Sequence, residues 1–250
     1  MADSASIPAS PPRIEVATAP PRHSILVRLT HWITTLCFFA LLITGMEIVV
    51  SHPRFYWGET GNSLTRPLFK IPIPSSRSTV PSGYHYTLPD QNGWSRALHF
   101  QSAWILVLTG LLYVASGLLS GHLRRDLVPA KPQRSWQAVT TTLRDHLRFQ
   151  RPAETGTYNL LQRLAYLSVV FLLVPMAIWT GLAMSPAFVS AFPSTVTLLG
   201  GQQTARTLHF ILSLTLTLFV TGHVLMVALS GCKARLRAML TGTPAKEEDR

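Results

Sequence analysis

In a chain of 250 residues with 47% hydrophobic and only 13% charged residues, apolar side chains exceed what a soluble domain of this size usually carries. The formal net charge of +11 invites a nucleic-acid reading, but the cations sit in connections next to apolar stretches, as in a membrane protein, and this removes nucleic acid as the expected partner. Cys37 and Cys232 form no Cys-x-x-Cys or Cys-x-x-Cys-His motif, so neither covalent c-type haem nor a thiolate-bound cluster is supported.

Residues 1–24, rich in Pro, Ala and Ser, lack the basic-then-apolar pattern of a cleavable signal and read as a disordered cytoplasmic tail before an uncleaved first span. Apolar windows long enough to cross a bilayer follow at about 29–50, 98–120, 160–183 and 207–229. Each is a continuous run rather than a ten-residue alternation, which predicts an all-α integral membrane four-helix bundle over 25–232 and not a barrel. The connection 51–97 is long and holds Phe55, Tyr56, Trp57, Tyr84, Tyr86 and Trp94. Its prolines argue against regular structure, while its aromatics predict packing, either on the membrane interface or on a partner subunit. The connection between the second and third spans contains QRSWQAVTTTLRDHLRFQ (133–150), with Trp136, Val139, Leu143 and Leu147 at helical spacing; it predicts a short amphipathic helix on the cytoplasmic surface. Residues 233–250 form a basic tail.

Charge sets the orientation. The amino-terminal tail, the 122–158 connection and the carboxy-terminal tail together hold fifteen cations, whereas the other side has Arg54, Arg66, Lys70 and Arg77 in its first loop and none between Met184 and Ala205. Both termini are therefore expected in the cytoplasm of a bacterial inner-membrane protein, with 51–97 in the periplasm.

His209 and His223 lie fourteen residues apart on the fourth span, about 40° short of four whole turns, so both project from nearly one face. Their axial separation is roughly 21 Å, one imidazole toward each leaflet. Intramembrane ionisable groups are costly and rarely idle, so each calls for a partner at its own depth. The topology places His31 at the cytoplasmic level of His223 and His99 at the external level of His209. Two histidines facing each other at one depth can supply both axial ligands of a haem iron and leave no open position for a substrate. Arg28, Arg96 and Arg206 each precede one of these histidines by three residues, nearly on the same face and one turn nearer water, where a guanidinium could pair with a haem propionate or simply snorkel. Gly45, fourteen residues after His31, places a missing side chain on the first helix at the external level. His122 is the rival ligand on the cytoplasmic side.

The motifs RLTHW (28–32), WSRALHF (94–100), YNLLQRLAY (158–166) and RTLHF (206–210), followed by His223, resemble the bacterial cytochrome b561 superfamily, particularly the dihaem b-type subunits of nickel hydrogenase, formate dehydrogenase and thiosulfate reductase. The resemblance implies two haem b groups, one outside between the second and fourth helices and one inside between the first and fourth. It also implies a quinone site beside the inner haem, formed partly by Tyr158, Asn159 and Gln162; an Asn-x-x-Gln pattern at a helix start also reads as a capping box with no ligand. The stretches MEIVVSHPRFYWG, SGHLRRDLVP and GLAMSPAF are most similar to members that work with a periplasmic molybdopterin oxidoreductase rather than a hydrogenase.

The expectation is thus an electron-transfer subunit linking a periplasmic redox partner to the quinone pool. A metal or proton transporter with a histidine relay, or a plain anchor for a catalytic subunit, are the other readings. The relay would need acids at mid-depth, and Glu47 is the only Asp or Glu inside any of the four windows. No groups are arranged for bond-making chemistry, so substrate turnover is expected on another polypeptide, apart from any quinone reductase or quinol oxidase step.

Overall fold

A computed structural model describes residues 24–62, 64–72, 91–121, 123, 128–129, 135–147, 160–229 and 231–242. Four helical stretches are long and apolar enough to cross a membrane: Ile25–Val50, Gly93–Leu119, Leu160–Ala183 and Gln202–Leu229. Three of them begin four or five residues before the apolar windows do, because the turns carrying Arg28, Arg96 and Arg206 are already helical.

Helix α1 (Ile25–Ser51) starts at Ser24, whose hydroxyl accepts from the Val27 amide at 3.3 Å. Helix α2 (Gln91–Leu119) returns antiparallel against it. Small polar residues make this approach close: Thr30 and Thr44 of α1 and Ser95, Ser102 and Thr109 of α2 are buried. In an apolar medium a hydroxyl must find a partner, and the threonines use their own helix: Thr30 donates to Leu26, Thr35 to His31, Thr44 to Ala40 and Thr217 to Ser213. Helix α3 (Trp136–Leu147) is the amphipathic segment expected on the connection between the second and third spans, with Ser135 accepting from the Ala138 amide.

The third span is broken in register. Helix α4 (Leu160–Ser168) passes through a π-helical turn (Val169–Leu173), closed by the Val174 amide on the Val169 carbonyl, into α5 (Val174–Ala183). Pro175 explains the break, since a proline inside a helix has no amide to donate and its ring crowds the preceding turn. Short helices α6 (Pro186–Ala191) and α7 (Ser194–Thr197) reverse the chain, locked by a small apolar cluster of Ala183, Val196 and Ala205 and by the Trp179 indole donating to the Thr195 carbonyl at 3.1 Å. Helix α8 (Gln202–Leu229) runs back along α5, and α9 (Cys232–Thr241) turns across the start of α1.

The 51–72 part of the first connection is more ordered than its prolines suggested. Strands β1 (Arg54–Phe55) and β2 (Phe69–Lys70) pair antiparallel. The prolines do not obstruct this pairing: the flanking bonds run from the Leu68 amide to Phe55 and from the Ile71 amide to the Pro53 carbonyl, so proline serves only as an acceptor. Among its described aromatics, Phe55 packs on the chain's own α8. Phe55, 2% exposed, stacks on Phe69 at 4.7 Å and lies 4.5 Å from the Phe210 ring, while Tyr56 is buried and Trp57 is exposed. Phe55→Ala is expected to cost about 3–5 kcal/mol, the range for truncating a buried aromatic, read as a fall in thermal midpoint and as faster proteolysis of the 51–72 segment.

Candidate functional site

Helix α8 carries both members of the histidine pair on one rigid rod, and each meets its expected partner. At the end of the bundle that bears the 51–72 loop, His99 of α2 faces His209 of α8 with ring centroids 6.3 Å apart and planes 62° apart. At the end that bears the described termini, His31 of α1 faces His223 of α8 at 6.4 Å and 56°. A metal midway between two coaxial imidazoles, with metal–nitrogen bonds of about 2.0–2.1 Å, sets their centroids about 6.3 Å apart. Both pairs fit a bis-imidazole iron. Among the described residues no group of three His, Cys, Asp or Glu gathers at either pair, and two axial nitrogens alone match an ion whose other positions a macrocycle fills.

The loop-end pair has a second layer that fixes its chemistry. Thr44 Oγ1 lies 2.9 Å from His99 Nδ1, and Thr180 Oγ1 lies 3.0 Å from His209 Nδ1. The Ala177 carbonyl is 3.1 Å from His209 Nδ1, and a carbonyl only accepts, so this nitrogen carries the proton. For His99 the same result follows from Thr44, whose hydroxyl hydrogen is committed to the Ala40 carbonyl at 2.7 Å and whose oxygen therefore accepts from the ring. Protonation at Nδ1 leaves the Nε2 lone pair free on each ring, the form that binds a metal.

The other pair is held by aromatic rings. Trp32 meets the edge of His31 at 5.3 Å, Phe219 lies nearly parallel to His223 at 6.2 Å, and Tyr166 meets Phe219 edge-on at 6.4 Å. His31 Nδ1 is buried with no hydrogen-bond partner among the described residues. Helix α9 closes this end: its Met239 and Leu240 carbonyls accept from the Trp32 indole at 3.2 Å and from Arg28 Nη1 at 2.8 Å.

The flanking arginines turn toward carbonyls. Arg28 reaches the end of α9, and Arg206 donates to the Arg54 carbonyl with its guanidinium 5.3 Å from the Phe55 ring centre. Each keeps a buried Nε without a partner among the described residues, and Arg96 is exposed. Gly45 does face the loop-end pair: a Cβ there would lie 3.6 Å from His99 Cε1. Gln162 lies on α4 one turn before Tyr166, whereas Tyr158, Asn159 and the rival His122 fall outside the described residues.

Sequence reading missed Thr44, Thr180 and Gly181, whose Cβ position lies 3.5 Å from His209 Cε1. Thr-Gly dipeptides stand at 44–45 and 180–181, but the same dipeptide recurs at five other places, 109–110 and 221–222 among them, so the sequence held no signal that singles these two out.

A membrane bundle that opposes imidazoles across its helices in this way has the build of a transmembrane b-type cytochrome. The chain belongs to the prokaryotic cytochrome b561 family, whose model matches residues 22–242. It is also 30% identical over 213 residues, 83% of this chain and 90% of its relative, to the putative protein-methionine-sulfoxide reductase subunit YedZ1 of Azospira oryzae. It is thus an integral membrane haem b protein of electron transfer.

Proposed function

We propose that the chain carries two b-type haems, His99 with His209 near the periplasm and His31 with His223 near the cytoplasm of a bacterial inner membrane, and links the quinone pool to a periplasmic oxidoreductase subunit. The observation that carries this reading is the pair of imidazole separations, 6.3 and 6.4 Å, repeated at two depths on one helix. Both termini lie in the cytoplasm, by the fifteen cations on their side.

When bound, each haem supplies reversible one-electron transfer with no open coordination position. The protein's part is to hold the imidazoles in register and keep the path dry. Residues fourteen apart on α8 fix a rise of roughly 21 Å between the two sites, and apolar helix faces exclude water. Arg28, Arg96 and Arg206 stand at the membrane edges, where the free Nε groups of Arg28 and Arg206 are available to propionates. Tyr158, Asn159 and Gln162 receive the quinone headgroup at the cytoplasmic edge, and the Tyr166 ring meets Phe219, which lies against His223.

The relative is named as a subunit of a reductase that acts on oxidised methionine in proteins, which supports an outward flow. In the proposed scheme electrons leave quinol at the inner face and reach a periplasmic reductase, of the molybdopterin class by the resemblance of the 46–58, 120–129 and 181–188 stretches. Protein purified from membranes is expected to give a reduced-minus-oxidised b-type spectrum with two haems per chain, both reduced by quinol, and to pass those electrons to the co-purifying periplasmic subunit. A folded preparation without haem, or one that quinol leaves oxidised, overturns the reading.

A further inference from the structure

The two imidazole pairs are supported unequally. At the outer pair, each ring nitrogen that cannot face the iron meets a threonine hydroxyl from a neighbouring helix, at 2.9 Å from Thr44 and 3.0 Å from Thr180. Each hydroxyl gives its own hydrogen to the carbonyl four residues earlier, Ala40 at 2.7 Å or Met176 at 2.8 Å, and so turns only its oxygen to the histidine. Both threonines are fully buried, and the glycine that follows each one faces the same ring, its Cβ position 3.6 Å from His99 Cε1 or 3.5 Å from His209 Cε1. At the inner pair, His31 Nδ1 has no such acceptor among the described residues.

We propose that Thr44 and Thr180 are positioning residues that lower the reduction potential of the outer haem relative to what the same two ligands would otherwise give. An Nδ1–H that donates to an oxygen pushes electron density onto the imidazole and makes Nε2 a stronger donor. The stronger donor favours the more positive, oxidised iron. An electron arriving at the outer haem is therefore held less tightly and passes more readily to the periplasmic acceptor. The inner haem, with one ligand lacking this support, keeps its electron more firmly. The inference rests on the assignment of His99 and His209 as axial ligands.

The test is a redox titration of the whole protein in membranes or detergent, following both haems by absorbance and by the low-spin ferric resonance. Thr44→Val and Thr180→Val keep the side-chain shape and remove the hydroxyl acceptor, while His209 Nδ1 keeps the Ala177 carbonyl at 3.1 Å. In each variant, at a fixed ambient potential, the reduced-to-oxidised ratio of the outer haem is expected to rise several-fold, where tenfold corresponds to about 59 mV for one electron. The inner haem should not move, and serine at either position should restore the outer value. Thr215→Val, whose hydroxyl bonds only the Ile211 carbonyl of its own helix, serves as the control and should shift neither haem. Loss of the outer haem from the valine variants with retention in the serine variants also supports the proposal, because it shows the hydroxyl holding the ring. Unchanged potentials, equal shifts of both haems, or the same effect from serine as from valine overturn it. His99→Ala and His209→Ala separate the two levels of inference: if these keep the outer haem, it is the ligand assignment that fails.

Discussion

Alanine at His223 is expected to leave one haem per chain and to abolish quinol-driven reduction of the periplasmic partner, whereas alanine at His209 leaves the inner haem reducible by quinol but disconnected from that partner. The contrast follows from placing one ligand of each pair on the same helix. His223 faces His31 at 6.4 Å and His209 faces His99 at 6.3 Å, and no group of three metal-binding side chains among the described residues offers a substitute. A five-coordinate haem with one imidazole is bound more weakly and moves electrons less readily than one with two. The loss of turnover should exceed about 100-fold, the upper range for removing a residue that merely supports a ligand. Pyridine haemochrome on the purified variants gives the haem count, and stopped-flow reduction by quinol separates entry of the electron from its exit. Loss of both haems, or of neither, from His223→Ala would break the pairing by depth.

The four spans and the histidine pairs were legible in the sequence for the same reason: both are periodic features of a single helix. A run of apolar residues fixes a span, and the fourteen-residue interval fixes two side chains on one face whatever the neighbouring helices do. Thr44 and Thr180 were not legible, because a threonine in a membrane helix ordinarily satisfies its own i−4 carbonyl. Both do so, and their second contact depends on the register between helices. The π-helical turn before Pro175 alters that register inside the third span, upstream of Thr180. The carbonyl partners of the arginines were not legible either: a guanidinium on a long stem has reach, and Arg28 and Arg206 each place a terminal nitrogen on a helix-end or loop carbonyl from a segment more than 150 residues away. The loop prolines misled because they mark where amides are missing and say nothing of acceptors, and the hairpin uses the Pro53 carbonyl as an acceptor.

The second large effect lies away from the histidines, at Gly201, where alanine is expected to release the 51–62 segment from the start of α8 and with it the outer pair's cover. A Cβ at this position would stand 2.5 Å from the Gly58 carbonyl carbon and 2.6 Å from the Glu59 amide nitrogen, and both are backbone atoms that cannot rotate away. The residue's φ of +115° is also one that side-chain-bearing residues avoid, costing of order 1–3 kcal/mol by itself. The close approach serves the helix. The first amides of α8 have no partners within it, and the loop supplies them: Gln203 and Thr204 donate to the Gly58 carbonyl at 3.0 and 3.2 Å, and Gln202 to the Glu59 carboxylate at 3.2 Å. In return the Thr204 hydroxyl accepts from the Gly58 amide at 2.7 Å, and the Thr207 hydroxyl donates to the Tyr56 carbonyl at 2.7 Å. Pushing the two backbones apart breaks these bonds together, and His209 lies just two residues beyond Thr207. Gly201→Ala should therefore lower the thermal midpoint, expose 51–62 to protease and weaken retention of the outer haem while the inner one stays. Gly93→Ala is the matched control, because it sits on an exposed helical face with no atom within 4 Å of the new methyl; it should be neutral or stabilise by about 0.5–1 kcal/mol. Equal behaviour of the two variants would show that the loop is not what holds the start of α8.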